Sequence, residues 1–484
     1  MSANASERRL HGALIALLCA IFAIQFFAAA RMNLWADDIA ILLDARLRTE
    51  GIAYDFFVQG NGFWRPGTRL LFRFANALWG MAPLYSVLSV ALHGLNVWLL
   101  WKVAQAKKLF AMEPVPAAVA ALLFAAGFAW SEAVFMLSAS GDKLLVSAIL
   151  AGLVWGGTPL RDLLFAALCV FAKDNGFIYP LIALARELLL NGTPVKKCAT
   201  RLWPAFALAG AYFVWFAIRL SHVPPDMELG TNDRTHIGPN AIKLAIDQWS
   251  AFFLYGPFDT NALGLFYIRP IQPLRWAIRL LVFSFAAGAI WAARNSDDRR
   301  HVLFIFAWLG LIFGTTSMRT GTVVGRYLYD AAPCWALFVP LASGFMMRGL
   351  SQCACRVVPA TLLCAWFAIQ AADWTMSPAI VYDTTVPKYV RMQMEALAPA
   401  LEEAALPPGS TAILSRTAFA EDEPRHEKLI QAYVGMMYPA ALLDVRIDET
   451  VSQEEEARLT KRGPLARFKW SAATESWNVT KPVQ

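Results

Sequence analysis

The sequence predicts a polytopic α-helical membrane protein with a small α/β domain at its C-terminal end. Three observations carry this reading. Of 484 residues, 57% are hydrophobic and only 16% are charged, against about 25% charged in soluble domains, and the mean hydropathy is +0.45. Apolar runs of near-spanning length recur over residues 1–375; a bilayer crossing needs roughly 20 residues. From about residue 376 the chain turns acidic and much less apolar. The 18 Trp and 32 Phe suit lipid-facing helices with aromatic belts at the interface. The formal net charge of +7 calls for no nucleic-acid partner, because basic residues at cytoplasmic helix ends give the same sign.

The apolar runs lie at roughly 10–30, 84–104, 114–131, 142–157, 160–173, 175–190, 202–220, 274–293, 301–318, 327–347 and 356–374. The segment after the first run, Arg31-Met32-Asn33-Leu34-Trp35, is not a small-residue cleavage site, so the run reads as a span rather than a signal peptide. The positive-inside rule orders the runs. With Arg8 and Arg9 in the cytoplasm, the successive inward turns carry Lys102, Lys107 and Lys108; Arg161; Lys196, Lys197 and Arg201; Arg294, Arg299 and Arg300; and Arg348 and Arg356. About 11 transmembrane helices follow, with the N-terminus cytoplasmic and the C-terminus extracytoplasmic. Residues 1–375 form the transmembrane domain, with 31–83 as its first extracytoplasmic loop. Residues 376–484 form the outer α/β domain, with a helix over 387–406, strands at 411–414 and 442–447, and a helix over 424–437 between them. The seven cysteines fall in apolar runs or basic segments, so they suggest no disulfide framework. Cys353-Ala354-Cys355 lacks the second pair a metal site needs.

The first outer loop is rich in chemistry. Asp37 and Asp38 precede a stretch with apolar Ile39, Leu42, Leu43 and Leu47 on one side. An Asp there can cap the helix, accept a proton from a hydroxyl, or join its neighbour in holding a divalent cation. Pro66 is a good first helical residue, and Leu70, Leu71, Phe74 and Leu78 suggest a second helix lying on the membrane over 66–79. Arg65, Arg69 and Arg73 recur every four residues, so they share one face. Such a face grips a phosphate bidentately or meets anionic lipid headgroups.

Further along, Gly141-Asp142-Lys143 opens the fourth span, and Lys173-Asp174 falls between the fifth and sixth. Arg326-Tyr327 opens the tenth span on the same face. Ionisable residues beside a bundle interior are costly and point to function. Outer-face Arg65, Lys143, Lys173, Arg319 and Arg326 run against the inward bias of topology signals and together suit an anionic headgroup such as a phosphate. His93 and Asn96 lie in the second span, where hydrogen bonds between helices are the expected role.

The ordered set resembles the C-type (GT-C) membrane glycosyltransferase superfamily, with the nearest likeness to protein O-mannosyltransferases and tetratricopeptide-linked O-mannosyltransferases. Aminoarabinose transferases of lipid A are more distant in the same class. The likeness covers residues 1–350 as short motifs, each weak alone. Asp37-Asp38 looks like the acidic pair of the first outer loop. "FWRPGTRLL" is similar to an Arg-Pro-Leu stretch, with Gly67 for Leu. "SASGDKLLVSAIL" is similar to Gly-Arg-Ala-Asp-Leu-Leu, shortened around Asp142. "FAKDNGFIYPLI" is similar to Ser-Lys-Glu, with Asp174 for Glu. "GRYLYDAAP" looks like Glu-Arg-Tyr-Leu-Tyr-Leu-Pro-Ser, with Gly325 for Glu. No tetratricopeptide array follows, since the tail is too short for units of ~34 residues.

The resemblance implies an inverting glycosyltransferase that moves a sugar from a polyprenyl-phosphate donor to an acceptor hydroxyl on the periplasmic face of a bacterial inner membrane. It implies Asp37 or Asp38 as the catalytic base. Arg65, Lys173 and Arg326 are then the donor-phosphate ligands, and Asp142, Lys143, Asp174 and Tyr327 line the substrate site. The acceptor is a glycan, lipid or protein. No metal site is implied beyond a divalent cation at Asp37 and Asp38. Two other classes fit the composition. A transporter or flippase of lipid-linked glycans needs charges deep in the spans and broken helices at the midplane; here the charges gather at one face. A non-catalytic assembly subunit needs none of these groups to turn over substrate.

Overall fold

A computed structural model describes residues 5–29, 66–76, 82–127, 131–221 (Ser138 apart), 298–317, 328–346, 410–414, 444–447, 464–471 and 476–483, with scattered positions between them. The chain divides into two compact units. The first comprises Met1–Met32, Glu50–Leu71 and Gly80–Pro378; the second comprises Asn33–Thr49, Phe72–Trp79 and Ala379–Gln484.

The regular secondary structure described in the first unit is all helical. The helices are α1 (Ala5–Ala29), α2 (Pro66–Asn76, which belongs to the first unit only as far as Leu71), α3 (Ala82–Gln105), α4 (Pro114–Ala126), α5 (Ser131–Phe135), α6 (Ser140–Trp155), α7 (Pro159–Ala172), α8 (Tyr179–Ala185), α9 (Val195–Ser221), α10 (Arg299–Ser317) and α11 (Ala332–Met346). A short 3₁₀ turn, Asp174–Ile178, precedes α8, and a π-helical turn, Arg186–Leu190, follows it. Nine of these coincide with expected apolar runs; the runs at 274–293 and 356–374 lie largely outside the described residues. Arg8–Ala29 and Leu84–Gln105 are long and apolar enough to cross a membrane, and Pro114–Ala126 and Ala332–Gly344 are shorter apolar helices.

Local chemistry sets the helix starts. α4 and α7 begin on prolines, whose fixed φ and missing N–H suit the first turn. The Thr158 hydroxyl caps α7 by accepting from the Arg161 N–H. α6 stops at Gly156-Gly157, where Gly157 has φ +108°, a conformation glycine adopts without penalty. Pro204 and Pro340 sit inside α9 and α11, as helices packed among other helices tolerate. In the bundle α6 packs against both α3 and α7, α4 against α1, α3 and α11, and α9 against α7. The 13-residue α4 is buried along most of its length, which marks it as a central helix of the described bundle.

The second unit contains a four-stranded sheet of order β2-β1-β3-β4: β1 (Thr411–Leu414), β2 (Asp444–Ile447), β3 (Leu465–Ser471) and β4 (Ser476–Val483). β1 pairs in parallel with β2 and β3, and β4 closes the sheet antiparallel to β3. All four residues of β1 are buried, as a strand with parallel neighbours on both sides requires. The expected strands at 411–414 and 442–447 are β1 and β2, the latter starting at Asp444. The helix expected over 424–437 lies outside the described residues. The β3–β4 hairpin was not expected. The sequence of β3, LARFKWS, mixes basic and apolar residues, and burial of Leu465, Ala466 and Phe468 becomes evident only once β1 lies beside it.

Candidate functional site

Three chain segments meet at the end of the bundle where α6 begins and α7 ends. The Cβ of any residue replacing Gly141 would stand 3.1 Å from both the Ala172 carbonyl and the Thr68 hydroxyl. Glycine therefore lets the start of α6 lie against α7 and α2. Asp142 follows in the first turn of α6, where the helix dipole favours a carboxylate. Lys173 ends α7 in extended conformation, and the chain then doubles back so closely that a Cβ on Gly176 would run into the Cys169 carbonyl. That reversal turns the Lys173 side chain to Asp142. The third segment is the turn before α11, which carries Asp330.

The Lys173 ammonium is bonded to both carboxylates: to an Asp142 oxygen and, at 2.7 Å, to Asp330 Oδ2. All three residues are buried, with Asp330 only 1% exposed. The two carboxylates offset the cost of burying the Lys173 ammonium. Asn175 Nδ2 lies 3.4 Å from Asp330 Oδ2. The paired set carries two negative charges to one positive. Around it, Asp330 Oδ1, Asn175 Oδ1, Ser140 Oγ and Thr68 Oγ1 are buried with no hydrogen-bond partner among the described residues. Buried acceptors and hydroxyls in that condition are costly unless something bonds to them.

A second polar layer lies beneath. Asn96 Nδ2 donates to the Lys143 carbonyl at 2.9 Å and to the Tyr329 hydroxyl at 3.0 Å. Tyr329 Oη is 2.9 Å from His93 Nδ1, and His93 Nε2 is 3.4 Å from the Ala125 carbonyl. The Lys143 ammonium, fully buried, donates to the carbonyls of Ala133 and Met136. It thus ties the end of α5 to the start of α6.

The opposite end of the bundle holds a separate ion network. Asp162 lies 3.1 Å from Arg201 Nε and 3.6 Å from Arg186 Nη2, as ion pairs. Glu187 pairs with Arg186 at 2.9 Å and with Arg201 at 3.0 Å. Arg186 also donates to the Gly152 carbonyl near the end of α6. Two cations meet two anions, so the charges balance.

Of the expected site residues, the structure brings Asp142 and Lys173 into direct contact and places Asp174 at the start of the adjoining 3₁₀ turn. Lys143 follows Asp142 but its ammonium turns to the backbone carbonyls of α5 and the turn after it. Asp37, Asp38, Arg65, Arg326 and Tyr327 lie outside the described residues. Pro66 does open α2, as expected. Sequence reasoning missed Asp330 and Asn175. The signal for Asp330 was present: it occupies an apolar position of the Arg-Tyr-Leu-Tyr motif. It also missed the Asp162 network, because Arg161 and Arg201 read as topology signals. His93 and Asn96 do bond between helices, to Tyr329, Lys143 and Ala125. Among the described residues no three metal-ligating side chains gather.

No protein-family model and no curated protein sequence matches the chain. Solved structures do. ArnT from Cupriavidus metallidurans in the apo state superposes with a TM-score of 0.51 at 12% identity, over 96% of this chain and 93% of that one. The same protein bound to undecaprenyl phosphate gives 0.50 at 14% identity, over 96% and 94%. The chain therefore shares, over nearly its whole length, the fold of these ArnT structures.

Proposed function

We propose that this chain is a membrane glycosyltransferase that takes a sugar from a polyprenyl-phosphate carrier and delivers it to an acceptor hydroxyl. The observation that carries this is the buried Asp142–Lys173–Asp330 centre, with its excess carboxylate and unpaired acceptors, in a fold shared with a protein that binds undecaprenyl phosphate.

The centre suits a sugar better than a phosphate. Lys173 is bonded to two carboxylates, and an incoming phosphate would meet their negative charge. Sugar hydroxyls are donors, and Asp330 Oδ1, Asn175 Oδ1 and Asp142 are acceptors that a hydroxyl-rich ring satisfies. Lys173 then organises the carboxylates, and Asp174 stands beside them. Departing phosphate charge falls to Arg65 and Arg326, with Tyr327 nearby in sequence. In the displacement, Asp37 or Asp38 takes the proton of the acceptor hydroxyl. The hydroxyl oxygen attacks the anomeric carbon, and the bond from that carbon to the phosphate oxygen breaks. The electron pair leaves with the lipid phosphate, where fixed cations stabilise it. The sugar is transferred with inversion. Lys143 is assigned to holding the α5–α6 turn. The reaction face is the periplasmic side of an inner membrane.

Membranes containing the protein, given radiolabelled polyprenyl-phosphate sugars, transfer label to an acceptor fraction, and Asp142→Asn abolishes it. Full turnover in both Asp37→Asn and Asp38→Asn would remove those residues from the role of base.

A further inference from the structure

Asp142 and Asp330 come from segments far apart in the chain, so something must set the distance between them. Lys173 attracts both but does not fix their spacing. An ammonium on a flexible stem accepts many geometries.

The second polar layer supplies the fixed spacing. The two hydrogens of the Asn96 amide go to two different segments. One reaches the carbonyl of Lys143, the residue after Asp142. The other reaches the hydroxyl of Tyr329, the residue before Asp330. The amide oxygen is taken by the Ser147 hydroxyl. Asn96 is fully buried, and so are His93 and Lys143, with Tyr329 buried as well. Hydrogen directions follow from this. Because the Tyr329 oxygen accepts from Asn96, its own hydrogen goes to His93 Nδ1. His93 then carries its hydrogen on Nε2, facing the Ala125 carbonyl. A planar amide with both hydrogens committed holds its two acceptors at one separation.

We propose that Asn96 is a positioning residue which, with Tyr329 and His93, fixes the separation of Asp142 and Asp330 across Lys173. Its consequence for turnover rests on reading that centre as the sugar-handling site.

The test uses the full chain in membranes and two readouts. One is turnover with labelled polyprenyl-phosphate sugar, resolved into kcat and KM. The other is acylation of Lys173 by acetic anhydride, quantified by peptide mass spectrometry against Lys196. Asn96→Leu and Tyr329→Phe should lower kcat about 10- to 100-fold with KM for the donor nearly unchanged, since a small misplacement of reacting groups has that cost. Lys173 acylation should rise about tenfold as the carboxylates loosen. Tyr329→Phe removes one oxygen atom and carries the test if Asn96→Leu does not fold. His93→Asn keeps an acceptor at the Nδ1 position and retains turnover; His93→Gln loses turnover like Tyr329→Phe. A packing role predicts the reverse, because Gln is nearer in size. Unchanged Lys173 acylation in both Asn96→Leu and Tyr329→Phe, or His93→Gln outperforming His93→Asn, overturns the proposal. If the native protein transfers no sugar but acylation still rises, the positioning role stands and the transferase reading falls.

Discussion

Two buried charge clusters sit at opposite ends of α6 and α7, and they are built on different terms. At one end Asp162, Arg186, Glu187 and Arg201 balance two cations against two anions, and Asn191 and Thr193 donate to Glu187 as well. At the other, Asp142 and Asp330 share one lysine, and neighbouring acceptors go unmet. Removing one partner from a buried ion set leaves uncompensated charge and costs about 3–5 kcal/mol. Both ends face that penalty, and both hold buried polar atoms with no hydrogen-bond partner among the described residues, Arg186 Nη2 and Arg201 Nη2 at one and Asp330 Oδ1 and Asn175 Oδ1 at the other; the difference is that only one carries unequal charge. A balanced cluster explains itself as structure. An unbalanced one points to a ligand.

The comparison breaks or sharpens under substitution. The largest effect is expected for Lys173→Met, which leaves two carboxylates facing each other. Turnover should vanish and stability should fall by about 3–5 kcal/mol, read by thermal unfolding in detergent. Adding Asp330→Asn should restore part of the stability and none of the turnover. Next, Asp142→Asn leaves a matched Lys173–Asp330 pair. It should lower transfer at least about 100-fold while changing the unfolding midpoint little. Loss of fold with no separate loss of activity would place this cluster with the other one. Arg186→Met should show the converse: destabilisation by about 3 kcal/mol or more, with turnover per folded molecule within about threefold of native. The smallest effect is Thr158→Ala, which removes the cap of α7 at the balanced end. It should cost about 0.5–1 kcal/mol and leave transfer unaltered.

Much of this was legible in the sequence, residue by residue. Asp142 and Lys173 were singled out from Gly-Asp-Lys and Lys-Asp at helix ends, and they prove to be bonded. Pro66 marked the start of α2, and Thr411–Leu414 marked β1. Asp330 escaped because "RYLYDAAP" reads as an apolar helix start, and its charge gains meaning only when Lys173 arrives from another helix. Arg201 escaped for the opposite reason. A basic residue beside a span already has an explanation in topology, so nothing asks whether it also has buried partners. Lys143 is a third case. It shares a tripeptide with Asp142, yet a helix turns successive side chains by about 100°, and its ammonium goes to the carbonyls of α5 and the turn after it.

The sequence by itself determined the class of solvent this chain meets, the register of its helices and the residues with charges worth explaining. Hydropathy and helix-end chemistry are local properties, written in consecutive residues. Tertiary structure alone decided which charges became partners. Pairing depends on which helix ends converge, and Gly141 and Gly176 permit that approach without revealing its destination. Whether a buried charge is matched or left over is a sum over segments distant in the chain, so no single stretch contains it.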